Sequence, residues 1–331
     1  MEFLWFLTLG LLACGYFALA GYDYGTGVLL RLIGRDESGR RQVLGAIGPF
    51  FLGNEVWLVA FAGVLLGVFP ALEARLFAGA YPLVVLIVVG VLVFTVATQL
   101  RGRVDRGRKA FWDIAGTAGA TMAAIGWGLL LGAVLDGLPL AANGYPNGDF
   151  GVLLNPGTVL FGVLMFGLFT LHGATFLAVR TVGGLARRAE RTARLLVAPC
   201  AVAVIAVVAN GVISVDVAQP APALGGAGSM IVLLFAASRM LGRRPGIALA
   251  CTAALCALPV LIVGTAHLPN VLVSALDGGG ALAYADANSS AYTLSQVGWL
   301  ALPVVPAVLG FQLMTWWAFR RRVTGQTGLF W

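Results

Sequence analysis

The sequence predicts an all-α integral membrane protein with about nine transmembrane helices. Three observations carry that reading. Of the 331 residues, 60% are hydrophobic and only 11% charged, against roughly 25% charged in soluble chains. The apolar residues gather into blocks of about 20, the length at which a helix crosses a ~30 Å hydrocarbon core. The basic residues, finally, fall almost entirely in every second gap between those blocks.

In order, the blocks lie near 3–25, 48–70, 77–99, 113–135, 153–179, 192–215, 221–238, 246–268 and 296–319. The first has no basic leader and runs into Gly21-Tyr22-Asp23 rather than a small-residue cleavage site. It therefore reads as a retained helix and not a signal peptide. The seventh is short and rich in glycine (Gly225, Gly226, Gly228). No polar stretch exceeds about 25 residues, too short for a soluble domain, so 1–331 reads as one polytopic unit.

Arg31, Arg35, Arg40 and Arg41 follow block one, and Arg101, Arg103, Arg106, Arg108 and Lys109 follow block three. Arg180, Arg187, Arg188, Arg191 and Arg194 follow block five. Arg239, Arg243 and Arg244 follow block seven, and Arg320, Arg321 and Arg322 follow block nine. Only Arg75 falls on the other side. Cytoplasmic loops carry the excess of Lys and Arg, which places the N-terminus outside and the C-terminus in the cytoplasm. The alternation also requires an odd number of helices, since one more or one fewer would scramble it. The net charge of +7 and pI near 9.7 would point to nucleic acid in a soluble chain. Here they report topology, and no nucleic-acid partner is expected.

The outer loops after blocks four and eight (Gly144 to Gly151; Asp277 to Ser290) are long and rich in Gly, Asn and Asp. They cover the outer surface, dock a partner, or are simply solvated. A faint echo relates the halves: Asp23-x7-Arg31-x2-Gly34 matches His172-x7-Arg180-x2-Gly183. Parallel repeats of this kind occur in membrane proteins. The echo fits two four-helix bundles (1–140 and 150–270) plus an extra, ninth helix (295–320).

A charge at mid-bilayer costs about 2.5–3.5 kcal/mol even on lenient scales, so ionisable groups in the spans are functional candidates. There are four: Asp23, Glu55, Asp113 and His172. Asp23 lies eight positions before Arg31, about 12 Å deep at the helical rise. It is the mouth of a proton path or a carboxylate bonded to a neighbouring helix. Glu55, in Gly53-Asn54-Glu55-Val56-Trp57, lies 14 residues past Arg41, about 21 Å deep if that stretch is helical throughout. It serves a proton relay, or it locks helix packing as a neutral or Arg-paired residue. Asp113 follows Phe111-Trp112 at the start of block four, where capping and the helix dipole account for it. His172 is the only histidine within a span and reads as a hydrogen-bonded packing residue.

Haem ligation by two histidines, or a His-rich metal site, would need more than His172, since His267 lies at the outer end of block eight. Cys14, Cys200, Cys251 and Cys256 all fall in apolar blocks without metal-ligand spacing and read as small buried hydrophobes. No metal site is expected in this chain, and no Walker-type nucleotide signature occurs.

Several segments then resemble one family. Gly21-Tyr22-Asp23-Tyr24-Gly25 is similar to the Gly-aromatic-Asp-x-Gly stretch that closes the first helix of cytochrome bd-type quinol oxidase subunit II. Gly53-Asn54-Glu55-Val56-Trp57-Leu58 resembles that family's Gly-Asn-(Glu/Gln)-Val-Trp-Leu signature. Phe111-Trp112-Asp113 fits the start of its fourth helix. Leu154-Asn155-Pro156 and Gly173-Ala174-Thr175 to Arg180-Thr181 fit its fifth, and Asp286-Ala287-Asn288-Ser289-Ser290 fits the segment before its last. The resemblance implies a bacterial plasma-membrane heterodimer with a subunit I that carries two b-type haems and one d-type haem. That complex oxidises quinol and reduces dioxygen to water. Subunit II would hold no haem; it would stabilise subunit I and contribute to a cytoplasmic proton path through Asp23, Asn54 and Glu55. Asp113, Trp57, His172 and Asp286 would be packing residues. Quinone, lipid and small accessory membrane subunits are further partners open to such a complex. One departure stands out: many members carry an acid directly before Gly-Asn, where this chain has Leu52. Glu55, three residues on and on a similar helical face, is its candidate replacement.

Two other readings compete. Asp23, Glu55, His172 and the echo also fit a proton- or ion-coupled transporter with a site at broken helices. A membrane scaffold whose polar residues all serve packing is the third.

Overall fold

The computed structural model describes residues 2–148, 150–215 and 218–324. Among them, nine helices are long and apolar enough to cross a membrane. They are α1 (Glu2–Ile33), α3 (Phe51–Val68), α5 (Tyr81–Leu100), α6 (Arg106–Asp136), α7 (Pro156–Arg180), α8 (Gly183–Ser214), α9 (Pro220–Met240), α10 (Pro245–Ala266) and α11 (Ala291–Ala318). Two short helices, α2 (Glu37–Ile47) and α4 (Pro70–Gly79), complete the set. The nine blocks of the sequence are all present, and the count is odd.

Helix ends differ from the hydropathy blocks where the chain turns polar without unwinding. α1 continues past Tyr24 to Ile33, and α8 begins at Gly183, so Arg187, Arg188, Arg191 and Arg194 stand on a helix. Long basic side chains reach water from a helix end while their stems stay in the slab. α2 is a separate amphipathic helix that turns Val43, Leu44, Ala46 and Ile47 into the core. Asp36 caps it, accepting from the Gly39 N–H at 2.6 Å. The break between α2 and α3 corrects the expected depth of Glu55. It is the fifth residue of α3, about 6 Å along that helix at 1.5 Å per residue, and not 14 residues into a continuous one.

α1 and α7 lie at the centre, and α6 and α7 are the most buried spans. α1 packs on α3, α6, α7 and α10. The α1–α7 crossing is set by Gly25 and Gly173. A Cβ built on Gly25 would overlap the Phe169 carbonyl and lie 2.9 Å from the Gly173 backbone nitrogen. Small residues let membrane helices approach closely enough for backbone packing, which replaces the hydrophobic drive missing between helices in lipid. α11, by contrast, is largely exposed and packs on α3.

The basic ends of the helices are tied to one another by arginine. Arg180 donates to the Phe319 carbonyl at the end of α11. Arg188 donates to the Ile33 carbonyl at the end of α1 at 3.0 Å, and Arg194 to the Leu241 carbonyl after α9. Each supplies a donor and a positive charge to a helix C-terminus, where both are missing. At the opposite end, the two long loops join. Leu138 N–H donates to Val273 O at 3.0 Å and Gly280 N–H to Ala141 O at 3.0 Å. A two-stranded ladder, β1 (Asn270–Leu272) and β2 (Leu282–Ala283), closes this cap. Asp149, in the first of these loops, lies outside the described residues.

Candidate functional site

The polar residues singled out in α1 and α3 meet. Asp23, 2% exposed, and Asn54, fully buried, face one another across the α1–α3 contact. Asn54 Nδ2 donates to Asp23 Oδ2 at 2.8 Å and to the Tyr22 hydroxyl at 2.7 Å, with the Leu19 carbonyl at 3.4 Å. Its Oδ1 accepts from Gln312 Nε2 of α11 at 3.1 Å. Asp23 Oδ1 and the hydroxyl of Thr26, one turn on, have no hydrogen-bond partner among the described residues. Buried polar groups are costly unless paired, so a carboxyl half-satisfied inside an apolar bundle is a strong candidate for a working group.

Glu55 stands apart. Its Oε1 accepts from Thr95 Oγ1 of α5 at 2.7 Å, and it has no hydrogen bond to Asp23 or Asn54. It is half-buried, on the same outward flank of α3 as the exposed Leu52 and Val56. The helical geometry explains the split: Asn54 faces α1 while its neighbour Glu55 faces α5. Trp57, one turn past Asn54, fills the space that a side chain at Gly15 of α1 would take.

His172 is buried in α7 between Ala18 and Thr252. Nε2 lies 2.9 Å from the Ala18 carbonyl and Nδ1 2.8 Å from the Thr252 hydroxyl. A carbonyl only accepts, so Nε2 carries the hydrogen. The ring also meets Tyr22 edge-on at 5.6 Å between centroids.

Two expectations are corrected. Asp113 does not cap α6, which begins a full turn and more earlier at Arg106. It is instead buried against Arg101, whose guanidinium donates to both its oxygens. Asp286 is exposed in the turn before α11. Packing there falls to Ser289, whose N–H and Oγ donate to the Val68 and Gly67 carbonyls at 2.8 and 2.9 Å.

Sequence reasoning missed Gln312, Thr95 and the pairing of Arg101. Gln312 and Thr95 are uncharged, and a search for ionisable residues passes over them. A glutamine deep in the apolar run of 296–319 was nonetheless a signal, since an amide in hydrocarbon needs a partner.

The sequence profile of the cytochrome bd terminal oxidase subunit II family matches residues 1–319. This chain belongs to that family. It is 31% identical over 329 residues to cytochrome bd ubiquinol oxidase subunit 2 of Bacillus subtilis, covering 97% of this chain and 96% of that one. It is 28% identical over 365 residues to cytochrome bd-I ubiquinol oxidase subunit 2 of Escherichia coli strain K12, covering 98% and 95%. In fold it is similar to the solved structure of bd oxidase from Geobacillus thermodenitrificans. That match has a TM-score of 0.73 and 15% identity, and covers 96% of this chain and 98% of the other. As a cytochrome bd subunit II, the chain is a multi-pass membrane protein and part of a terminal oxidase complex with a subunit I. The Asp23–Asn54 pair thus joins two of the segments on which the family resemblance was read.

Proposed function

We propose that the chain is the haem-free subunit of a complex that oxidises quinol and reduces dioxygen to water. It stabilises the haem-bearing subunit I and lines a proton path that enters from the cytoplasmic, arginine-rich side. Asp23 carries the proton, Asn54 adjoins it, and Glu55 flanks the entrance where relatives hold an acid at the place of Leu52. The observation that carries this reading is Asp23 itself: a buried carboxyl among apolar helices, held on one oxygen by Asn54 and without a hydrogen-bond partner on the other among the described residues.

The two b-type haems and the d-type haem belong to subunit I on this reading. This chain's residues fit them poorly, because both nitrogens of His172 already face protein atoms. No redox step is assigned to this subunit, which has no catalytic centre of its own. The chain further reads as two four-helix units, 1–140 and 150–270, with the ninth helix at 295–320. Support comes from the α1–α7 crossing: Gly25 and Gly173 lie within a residue of positions that the Asp23/His172 echo makes equivalent.

The test uses the assembled complex in vesicles. Asp23→Asn is expected to slow quinol-driven proton uptake by about a hundredfold or more, the scale of a lost proton-transfer group, with haem content unchanged. Glu55→Gln is expected to reduce it less. Wild-type uptake in Asp23→Asn would remove this path from the subunit.

A further inference from the structure

We propose that Gln312 is a positioning residue for Asp23, acting through the side-chain amide of Asn54; the functional part of this inference rests on the reading that Asp23 carries protons. α11 exposes most of its surface, and its buried polar residues are Gln312 and Thr315. Thr315 spends its hydroxyl on the Phe311 carbonyl of its own helix at 2.8 Å. Gln312 reaches out instead and donates to Asn54 Oδ1. The contact depends on Gly53: a Cβ there would lie 3.2 Å from the Phe311 ring and 3.8 Å from Gln312 Oε1. The glycine beside Asn54 is what lets α11 lean in and deliver the amide.

The effect on Asp23 follows from the chemistry of an amide, which has one accepting end and one donating end. The donor from Gln312 fixes the oxygen end of Asn54 toward α11. Its two N–H groups then point at the Tyr22 hydroxyl and Asp23 Oδ2, with the Leu19 carbonyl beside them. Turned over, Asn54 would set NH2 against NH2 at Gln312 and oxygen against oxygen at both Leu19 and Asp23. The Leu19 carbonyl, which only accepts, and the donor from Gln312 together therefore hold Asn54 in one direction.

That direction divides the work between the two oxygens of Asp23. Oδ2 receives an N–H in either protonation state. The proton that makes the acid neutral must then bind Oδ1, which, like the Thr26 hydroxyl one turn on, has no hydrogen-bond partner among the described residues. It arrives on Oδ1 and leaves from Oδ1. Asn54 holds the carboxyl and does not relay.

The experiment is infrared difference spectroscopy of the intact complex, with the Asp23 carboxyl or carboxylate band identified as the one that Asp23→Asn removes. Gln312→Leu should shift that band to the position it takes in Asn54→Leu, and should lower quinol-driven proton uptake about fivefold, the worth of one hydrogen bond. The double variant should be no slower than Asn54→Leu alone, because partners in one chain of contacts are not additive. Gln312→Met, unbranched and without a donor, gives the same band shift if the leucine variant assembles poorly. An unmoved band in Gln312→Leu or Gln312→Met, or losses that multiply in the double variant, would overturn the proposal. Wild-type uptake in Asp23→Asn would instead sink the proton path, and the band shift would still decide the role of Gln312.

Discussion

Arg101 and Asp113 form a buried ion pair that clamps the end of α5 to the second turn of α6, with 1% and 2% of their side chains exposed. The same guanidinium holds Glu37 of α2 at 2.8 Å, Lys109 holds Glu37 at 2.9 Å, and Arg40 lies 3.4 Å from Asp113. One cluster thus pins the amphipathic helix α2 to the adjoining ends of α5 and α6. Removing a single partner of a buried pair leaves the other charge uncompensated, at a cost of about 3–5 kcal/mol. Asp113→Leu is therefore expected to lower the stability of the complex by about 3 kcal/mol, the low end because Glu37 still faces Arg101. The double variant Arg101→Met/Asp113→Leu should recover part of that loss. Melting of the purified complex in detergent is the measurement, and a double variant no better than the single one would refute a charge effect.

Glu37 sits where this cluster meets water. Burial pushes its carboxyl up, but the hydrogen bonds and charges of Arg101 and Lys109 more than offset that and hold it at about 2. The folded value lies below the ordinary one of 4.5. Its contribution to stability is hence complete above about pH 4.5 and lost as the pH falls toward 2. Comparing melting temperatures at pH 6 and pH 3, wild type should fall further than Glu37→Gln. Equal falls would show that the cluster does not depend on this charge.

Much of this was legible because the bilayer restricts what a chain can do. Backbone groups in hydrocarbon must be satisfied within a helix, so each apolar block became one. α2 and α4 were not legible: Glu37–Ile47 is polar to Gln42 and apolar only over its last five residues, too short for a hydropathy window, and Pro70–Gly79 straddles the gap between blocks two and three. The site divides in the same way. Asp23 and Asn54 stood out as polar residues in apolar surroundings. Gln312 did not, since no charge marked it and 258 positions separate it from Asn54. Arg101 was read as a loop residue setting topology, whereas the fold buries it and gives it Asp113.

The orientation of the termini rests on the basic ends of the helices facing the cytoplasm. Asn143 and Arg103 are exposed at opposite ends of the bundle. With a membrane-impermeant maleimide, Asn143→Cys should label in intact spheroplasts, and Arg103→Cys only after permeabilisation. The reverse pattern would invert the topology and place the entrance of the proton path on the outer face.

Gly25 and Gly173 give the sharpest test of the packing. A side chain on Gly25 has no direction in which to yield, because the atoms it meets are the backbone of Phe169 and Gly173, and backbone cannot rotate away as a flexible side chain does. Forcing extra volume into a packed contact costs about 1–3 kcal/mol where side chains can adjust, and this contact offers none. Gly25→Ala is expected to part α1 from α7 and to abolish assembly with subunit I, read as loss of the intact complex on a native gel. Gly10→Ala on the same helix meets nothing within 4 Å and should assemble as wild type. The pair separates a steric effect at the crossing from a general intolerance of α1 to substitution. If Gly25→Ala assembles normally, the two central helices do not cross backbone to backbone, and the packing of α1 on α7 would have to be redrawn.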